Sequence, residues 1–273
     1  MIPEIDAYSG IKEELKFFTT SGVRVKLLVS LNKERMMVDQ MKTEFGYRTS
    51  TILPVLAELK SKELIYKKGG YYDVTPFGRL VSTKLIDFIE TLHMFKTQEQ
   101  FWKNHETYGI PDLFFRTLGS LSRSRILKPD TTDILAVYAN FAEMLGSCRV
   151  IDGVSPFMYH ELPGLFKRFT EQGVAIRLVV TRKVLELMRE RYNYLLELSE
   201  SVPNFSMRVI EDDLKVAFTV TENILSLGFF RQDGTYDYST DLVSEDAAAI
   251  EWGNALFEYY WNRSTDINAV PLP

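Results

Sequence analysis

A run of polar residues comes directly before a stripe of apolar residues at helical spacing, and its side chains could contact a nucleic acid. The run is Arg48, Thr49, Ser50 and Thr51, and the stripe is Ile52, Leu56 and Leu59. Arginine binds a phosphate or the edge of guanine, and hydroxyl groups hydrogen-bond to phosphates or bases. Lysines follow at the far end of the same helix and just after it. The candidate DNA-binding residues are therefore Arg48, Thr49, Ser50, Thr51, Lys60, Lys67 and Lys68.

The elements around this run predict a winged helix-turn-helix. Two helical segments precede the run, and the second ends at Gly46, a residue that suits a helix C-terminus. Thr49 or Ser50 is expected to cap the third helix, which would put Pro54 at about its first turn. Short β-prone runs then flank Gly69 and Gly70, which indicates a hairpin. In such a module the third helix enters the major groove, although the same fold also serves protein contacts.

Charge is distributed unevenly along the 273 residues. Residues 20–85 contain twelve Lys and Arg against six Asp and Glu, whereas residues 86–273 contain eighteen against twenty-seven. A basic module joined to an acidic body favours a polyanionic partner for the basic part. We therefore expect double-stranded DNA to be that partner.

A helix after the hairpin has apolar residues at near-heptad spacing. They are Leu85, Phe88, Leu92, Phe95 and Trp102, with Glu99 in place of one apolar residue. Such a seam is typical of a dimer helix, and a homodimer would match a symmetric operator. The alternative is that the seam packs on another helix of the same chain.

The remainder alternates helices with strands, among them a helix expected near Thr132–Leu145, which predicts an α/β domain. The predicted fold class is thus α+β or α/β, a winged helix-turn-helix followed by an α/β sensor domain. The expected organisation is a DNA-binding domain over residues 1–84, a linker with dimerisation helices over 85–128, and the sensor domain over 129–266.

Signals for catalysis, metals and membranes are weak. His93, His105 and His160 lack metal-ligand spacing, and a single cysteine, Cys148, cannot form an internal disulfide or a cysteine-built zinc site. No glycine loop for phosphate and no long apolar run is present, so no metal, cofactor or membrane partner is expected. We expect a cytoplasmic protein that is not an enzyme.

Several stretches resemble the archaeal winged-helix regulators of the methanogenesis and filamentation regulator family. The most specific are FWKNHETYGIP, RVIDGVSP, LKVAFTVTENILSLGFFRQDGTYDYSTDL and EWGNALFEYYWNRS, whereas TSTILPVLAELKSKELI and YYDVTPFGRL are generic to winged helices. The resemblance covers nearly the whole chain. It implies a transcription regulator of methanogens whose middle domain has a degenerate phospholipase D-like fold.

The phospholipase D signature H-x-K-x4-D is almost absent here. Its best match begins at Asp213, keeps only Lys215 and has Val220 at the last position. Without the nucleophilic histidine, a non-catalytic sensor is favoured over the alternative of a phosphodiesterase fused to a DNA-binding module.

A ligand site is expected at the carboxyl ends of the sensor strands, where open α/β sheets bind ligands. The residues there are Ser155, Thr181, Arg182 and Lys215. The two cations could hold an anionic effector and the hydroxyls could orient it. Alternatively, Arg182 simply begins a charged helix and Lys215 pairs with a neighbouring acid.

Overall fold

The computed structural model describes residues 2–128, 145–146, 148–158, 162–211 and 213–269. Two compact units divide the chain, Met1–Glu90 and Thr91–Pro273. Residues 91–128, predicted as a separate linker, group with the second unit because their apolar side chains, such as Phe101 and Leu121, lie in its core. The helix expected near Thr132–Leu145 lies outside the described residues except at its last position.

The first unit is a winged helix-turn-helix, as the sequence predicts. It contains α1 (Pro3–Thr19), α2 (Gly22–Lys33), α3 (Val38–Phe45), α4 (Thr49–Ser61), β1 (Ile65–Lys68), β2 (Tyr71–Val74) and the start of α5 (Pro76–Thr97). The apolar stripes of α2 and α4 supply fully buried residues such as Leu28 and Leu56.

Local residue chemistry fixes the turns of this unit. Gly46 ends α3 in the left-handed region at φ 69°, and Gly69 and Gly70 form the tight hairpin turn with φ of 59° and 89°. The Thr75 hydroxyl accepts a hydrogen bond from the Gly78 amide at 2.9 Å and caps α5. A side chain at position 78 would collide with the Leu64 carbonyl.

The start of α4 differs from the sequence prediction. Its N-cap is Arg48, which makes no side-chain capping hydrogen bond, and Thr49 and Ser50 are already helical. Pro54 consequently lies inside the helix, in its second turn, rather than at its entrance. The lost amide would have bonded to the Ser50 carbonyl. Because Ser50 is exposed, water can satisfy that oxygen.

The second unit is built on one mixed sheet of eight strands. Its order is β10-β6-β5-β4-β7-β8-β9-β3, with β4, β5 and β6 parallel and every other neighbouring pair antiparallel. In chain order the elements are α6 (Glu99–Asn104), α7 (Asp112–Phe115), β3 (Arg125–Leu127), β4 (Val150–Ser155), α8 (Leu162–Glu171), β5 (Ala175–Thr181), α9 (Arg182–Arg191), α10 (Asn193–Ser201), β6 (Phe205–Ile210), β7 (Val216–Thr221), β8 (Leu225–Phe229), β9 (Asp241–Ser244), α11 (Ala247–Arg263) and β10 (Thr265–Asp266).

Two hydrophobic cores form on opposite faces of this sheet. Helices α8, α9 and α10 pack on one face, where residues such as Leu185 and Phe205 are buried. Helix α11, with α7 and the end of α5, packs on the other face around Phe229 and Phe257. The predicted fold class, a winged helix followed by a mixed α/β domain, is therefore confirmed.

A buried ion pair joins two central strands beneath α11. Asp152 on β4 is opposite Arg177 on β5, and the guanidinium makes two hydrogen bonds of 2.8 and 2.7 Å to its carboxylate. Arg177 also contacts Glu258 at 2.9 Å and lies over the Phe257 ring. Burial raises the pKa of Asp152 above its usual value, and Arg177 opposes that shift.

Within the described residues, none of the helices combines the length and apolar content needed to cross a membrane.

Candidate nucleic-acid interface and ligand-binding edge

All seven predicted DNA-binding residues are exposed on the first unit. Burial of one face of α4 leaves the opposite face open, because Ile52, Leu56 and Leu59 occupy the core. The exposed residues at the start of α4 are Arg48, Thr49, Ser50 and Thr51; Lys60 lies near its end, and Lys67 and Lys68 lie on the hairpin.

The first turn of α4 carries several donors that a phosphate could use. Amide groups in the first turn of a helix have no partner within the helix, and they attract anions. The hydroxyls of Thr49, Ser50 and Thr51 surround this turn, and Arg48 adds a cation directly before it. The sequence prediction of capping by Thr49 or Ser50 was wrong, so those hydroxyls are not used as caps.

A cation beside the hairpin, Arg35, was not among the predicted residues. The guanidinium carbon of Arg35 lies 4.9 Å from the centre of the Tyr71 ring, and Lys67 Nζ lies 5.1 Å from the Tyr72 ring centre. A bridge between Met36 and Tyr72 draws the segment containing Arg35 to the hairpin. Arg35 is exposed, so it adds positive charge beside the wing. From the sequence, Arg35 could be recognised as a positively charged residue, but its position beside the hairpin could not be predicted.

The predicted dimer seam is divided between different environments. Leu85 packs against the core of the first unit, and Trp102 packs against Phe101 and Phe229 in the second unit. Helix α5 ends at Thr97, so the seam does not continue as one helix to Trp102. The central residues Phe88, Leu92 and Phe95 remain 51%, 51% and 40% exposed.

The four predicted ligand-binding residues lie where β4 and β5 end and β7 begins, an end of the sheet that we call the sheet edge. Each of them bonds to another residue of the second unit. Ser155 Oγ donates to the Phe157 carbonyl at 2.6 Å, and Thr181 Oγ1 accepts from the Val184 amide as the cap of α9. Arg182 forms an ion pair with Glu211, and Lys215 Nζ lies 3.0 Å from Asp213. As the alternative interpretation expected, Arg182 begins a charged helix and Lys215 pairs with a neighbouring acid. Exposed ion pairs of this kind contribute little to stability.

Aromatic rings beside Lys215 form a cluster that the sequence analysis did not identify. Phe157 and Tyr236 have ring centres 4.3 Å apart, and Phe230 lies 5.3 Å from Tyr236. Lys215 Nζ lies 5.2 Å from the centre of the Phe230 ring. Residues 157 and 236 are far apart in sequence and meet only because β4 and β8 end at the same edge of the sheet.

The histidines differ in their surroundings. His93 is exposed, His160 lies outside the described residues, and His105 is buried. His105 Nδ1 lies 2.7 Å from the Phe101 carbonyl oxygen, and Nε2 lies 3.0 Å from Asp237 Oδ2. This histidine ties α6 to the segment after β8.

The fold thus defines a two-part protein, a winged helix-turn-helix with exposed cations at the start of α4 and on the wing, followed by a mixed α/β unit. Comparison with known families assigns both parts. Residues 12–93 match the N-terminal domain of the Methanogenesis regulatory protein FilR1 family, and residues 134–263 match its middle domain. These matches together span about three quarters of the chain, and the chain belongs to this family.

One curated relative is the Methanogenesis regulatory protein FilR1 of Methanothrix harundinacea (strain 6Ac). It is 26% identical to the chain over 264 residues, which cover 95% of the chain but 59% of the relative. The chain therefore matches little more than half the length of that protein.

Two solved structures show weak similarity to the chain. TrmBL2, described as an archaeal chromatin protein with a novel mode of DNA binding, is 12% identical with a TM-score of 0.44; the match covers 88% of this chain and 92% of TrmBL2. Nuc from Salmonella typhimurium, a phospholipase D family member, is 11% identical with a TM-score of 0.41; the match covers 52% of this chain and 96% of Nuc.

Proposed function

We propose that the protein is a cytoplasmic, homodimeric transcription regulator that binds double-stranded DNA through its first unit and senses a small molecule through its second. Genes related to methanogenesis are the proposed targets, in keeping with the family. The observation that carries the DNA-binding proposal is the exposure of all seven predicted residues, on the third helix and wing of a winged helix.

Two features of the first unit support DNA over a protein partner. The start of α4 exposes three hydroxyls and an arginine, and residues 1–90 contain fourteen Lys and Arg against twelve Asp and Glu. Polyanion binding of this kind depends steeply on salt because bound counterions are released.

Fluorescence anisotropy with a duplex from the region upstream of its own gene tests DNA binding. We expect saturable binding that weakens as potassium chloride rises from about 50 to 200 mM and that exceeds binding to a scrambled duplex. Absence of binding to either duplex at 50 mM salt would leave the winged helix as a protein-interaction module.

Dimerisation is supported by apolar stripes on two helices. On α5 the stripe contains the exposed residues Phe77, Leu80, Phe88, Leu92 and Phe95. On α1, in which no residue is buried, it contains Ile5, Tyr8, Ile11 and Leu15, each 41–56% exposed. Apolar stripes at helical spacing are typical of helix-packing surfaces, and a second copy of the chain would cover both.

Glutamate at position 92 should disrupt this dimer. A charge buried in an apolar interface costs several kcal/mol unless it is paired, so Leu92→Glu is expected to weaken dimerisation at least about a hundredfold. Sedimentation velocity over a range of concentrations measures the change. His93→Glu is the matched control, since it adds the same side chain to an exposed position about 100° around the helix. If a folded Leu92→Glu variant dimerises like the control, the α5 stripe is not the interface.

Sensing without catalysis is proposed for the second unit. The position that would hold the phospholipase nucleophile is Asp213, whose carboxylate is 83% exposed and paired with Lys215. The position of the final aspartate is Val220, which is fully buried. A phosphodiesterase of this class would need its nucleophilic histidine at position 213, so the enzyme alternative lacks its nucleophile.

The sheet edge formed by Ser155, Thr181, Arg182 and Lys215 remains the proposed effector site. An anionic effector would compete with Glu211 and Asp213 for the two cations, and the neighbouring aromatic rings could cover its apolar part. We expect methanogen metabolites that carry anionic groups to raise the melting temperature of the full chain. The stabilisation should disappear in Arg182→Ala and Lys215→Ala; if it persists in both variants, the effector binds elsewhere.

A further inference from the structure

A cavity in the α/β unit is lined by residues other than the four predicted effector residues. Its volume is about 1100 Å³, and its walls come from residues 96–105, 124–128 and 231–240. These segments include α6, β3 and the loop after β8. Small-molecule sites commonly measure roughly 300–1,000 Å³, so the cavity could hold a metabolite of ordinary size.

The charges on the walls favour an anion. Lys96 and Lys128 both line the cavity, and neither has an acidic partner among the residues that the structure describes. Arg125 adds a third cation and, within the described residues, contacts the exposed Glu245 at 3.4 Å.

The acidic groups on the walls are already satisfied. Glu99 pairs with Lys103, and the Asp233 carboxylate accepts from both the amide and the hydroxyl of Thr235. Asp237 accepts from Arg231 at 2.6 Å, and its Oδ2 lies 3.0 Å from His105 Nε2. Among the described residues, the cavity walls carry four cationic side chains against three acidic ones, which leaves a small excess of positive charge.

One polar atom at the cavity has no hydrogen-bond partner in the described part of the chain. Ser124 lines the cavity, and its Oγ is buried without a hydrogen bond. Its carbonyl is held by the Gln98 side-chain amide at 2.7 Å, and Gln98 in turn accepts from the Trp102 indole at 3.2 Å. Buried hydroxyls are normally hydrogen-bonded, and an exception requires an explanation. A ligand that accepts a hydrogen bond would supply one.

The opposite wall is held in place by hydrogen bonds. Burial opposes ionisation of Asp237, but hydrogen bonds from Ser239, Thr240 and Arg231 outweigh it and keep the pKa of this carboxyl well below its usual range. Both ring nitrogens of His105 face oxygen acceptors, the Phe101 carbonyl and Asp237. The wall is thus organised before any ligand arrives, which reduces the entropy lost on binding.

We propose that this cavity binds a small organic oxyanion, such as a phosphorylated or multiply carboxylated metabolite. Lys96 and Lys128 neutralise its charge, and Ser124 Oγ donates a hydrogen bond to it. A role for this ligand in regulation rests on the proposed function, whereas the binding itself does not require DNA.

Isothermal titration calorimetry of the full chain without DNA tests this proposal. The probes are inorganic pyrophosphate and citrate, titrated at constant ionic strength to separate phosphate from carboxylate recognition. We expect one site per chain for at least one probe, with affinity reduced more than about tenfold in the Lys96→Gln/Lys128→Gln double variant. Lys167→Gln, an exposed lysine of the same unit outside the cavity, should leave the affinity unchanged.

Ser124→Ala separates a binding role from a structural one. Because the hydroxyl is unpartnered, its removal should leave the melting temperature of the free protein unchanged or higher, yet weaken probe binding about tenfold. The Arg182→Ala/Lys215→Ala variant should bind normally. Loss of binding in that variant alone assigns the probe to the sheet edge and overturns the proposal, as does the absence of binding by both probes at millimolar concentration.

Discussion

Replacing Arg48, Lys67 and Lys68 with alanine is expected to weaken DNA binding by about two to three orders of magnitude at 0.1 M salt. Each lost phosphate contact lowers the slope of log affinity against log salt by about 0.9, so three contacts lower it by about 2.7. Because log affinity falls linearly with log salt concentration, the change in slope determines how much affinity is lost at a given salt concentration. All three side chains are exposed on α4 and the hairpin, so the variant should fold normally.

Anisotropy titrations at four or more salt concentrations measure both quantities. A matched control replaces Lys12, Lys16 and Arg79 with alanine. These residues lie outside α4 and the hairpin, and their replacement removes the same charge from the first unit. The control should change affinity modestly through net charge and leave most of the slope intact. Equal slopes for the two variants would mean that binding reflects only overall charge and that the recognition assignment is wrong.

Loss of Arg177 is expected to destabilise the second unit by about 3 kcal/mol or more. Arg177→Met removes both hydrogen bonds to Asp152, whose side chain is 5% exposed, and leaves a buried carboxylate without a partner. Removal of one member of a buried ion pair typically costs about 3–5 kcal/mol. Partial exposure of Arg177 places the expectation at the lower end of that range.

Replacing both partners tests whether the buried charge is the cause. In the Asp152→Val/Arg177→Met variant no carboxylate is left unpaired, so most of the lost stability should return. Chemical denaturation of the second unit, followed by its own tryptophans, measures both free energies of unfolding. Arg123→Met, which breaks an exposed ion pair with Asp246, is the control and should cost less than about 1 kcal/mol. A double variant as unstable as Arg177→Met would show that packing of the arginine, and not the unpaired acid, accounts for the loss.

The sequence alone determined the winged helix and the positions of its exposed cations. Gly46, the Gly69-Gly70 turn and the Thr75-Pro76 helix start act on their nearest neighbours, so their conformations follow from residue type. The apolar stripe of α4 likewise fixed which of its residues would remain exposed. The cap of α4 was mispredicted because several adjacent polar residues can begin a helix, and local propensity separates them poorly.

Only the tertiary structure decided the rest. Residues 96–105, 124–128 and 231–240 are far apart in sequence, and they enclose a cavity because β8, β9 and β3 are neighbours in the sheet. In the same way, Trp102 leaves the predicted seam because Phe229 packs against it. Strand order and packing depend on long-range contacts that no local pattern encodes. The pairing of Arg182 with Glu211, which follow neighbouring strands, therefore became visible only in the tertiary structure.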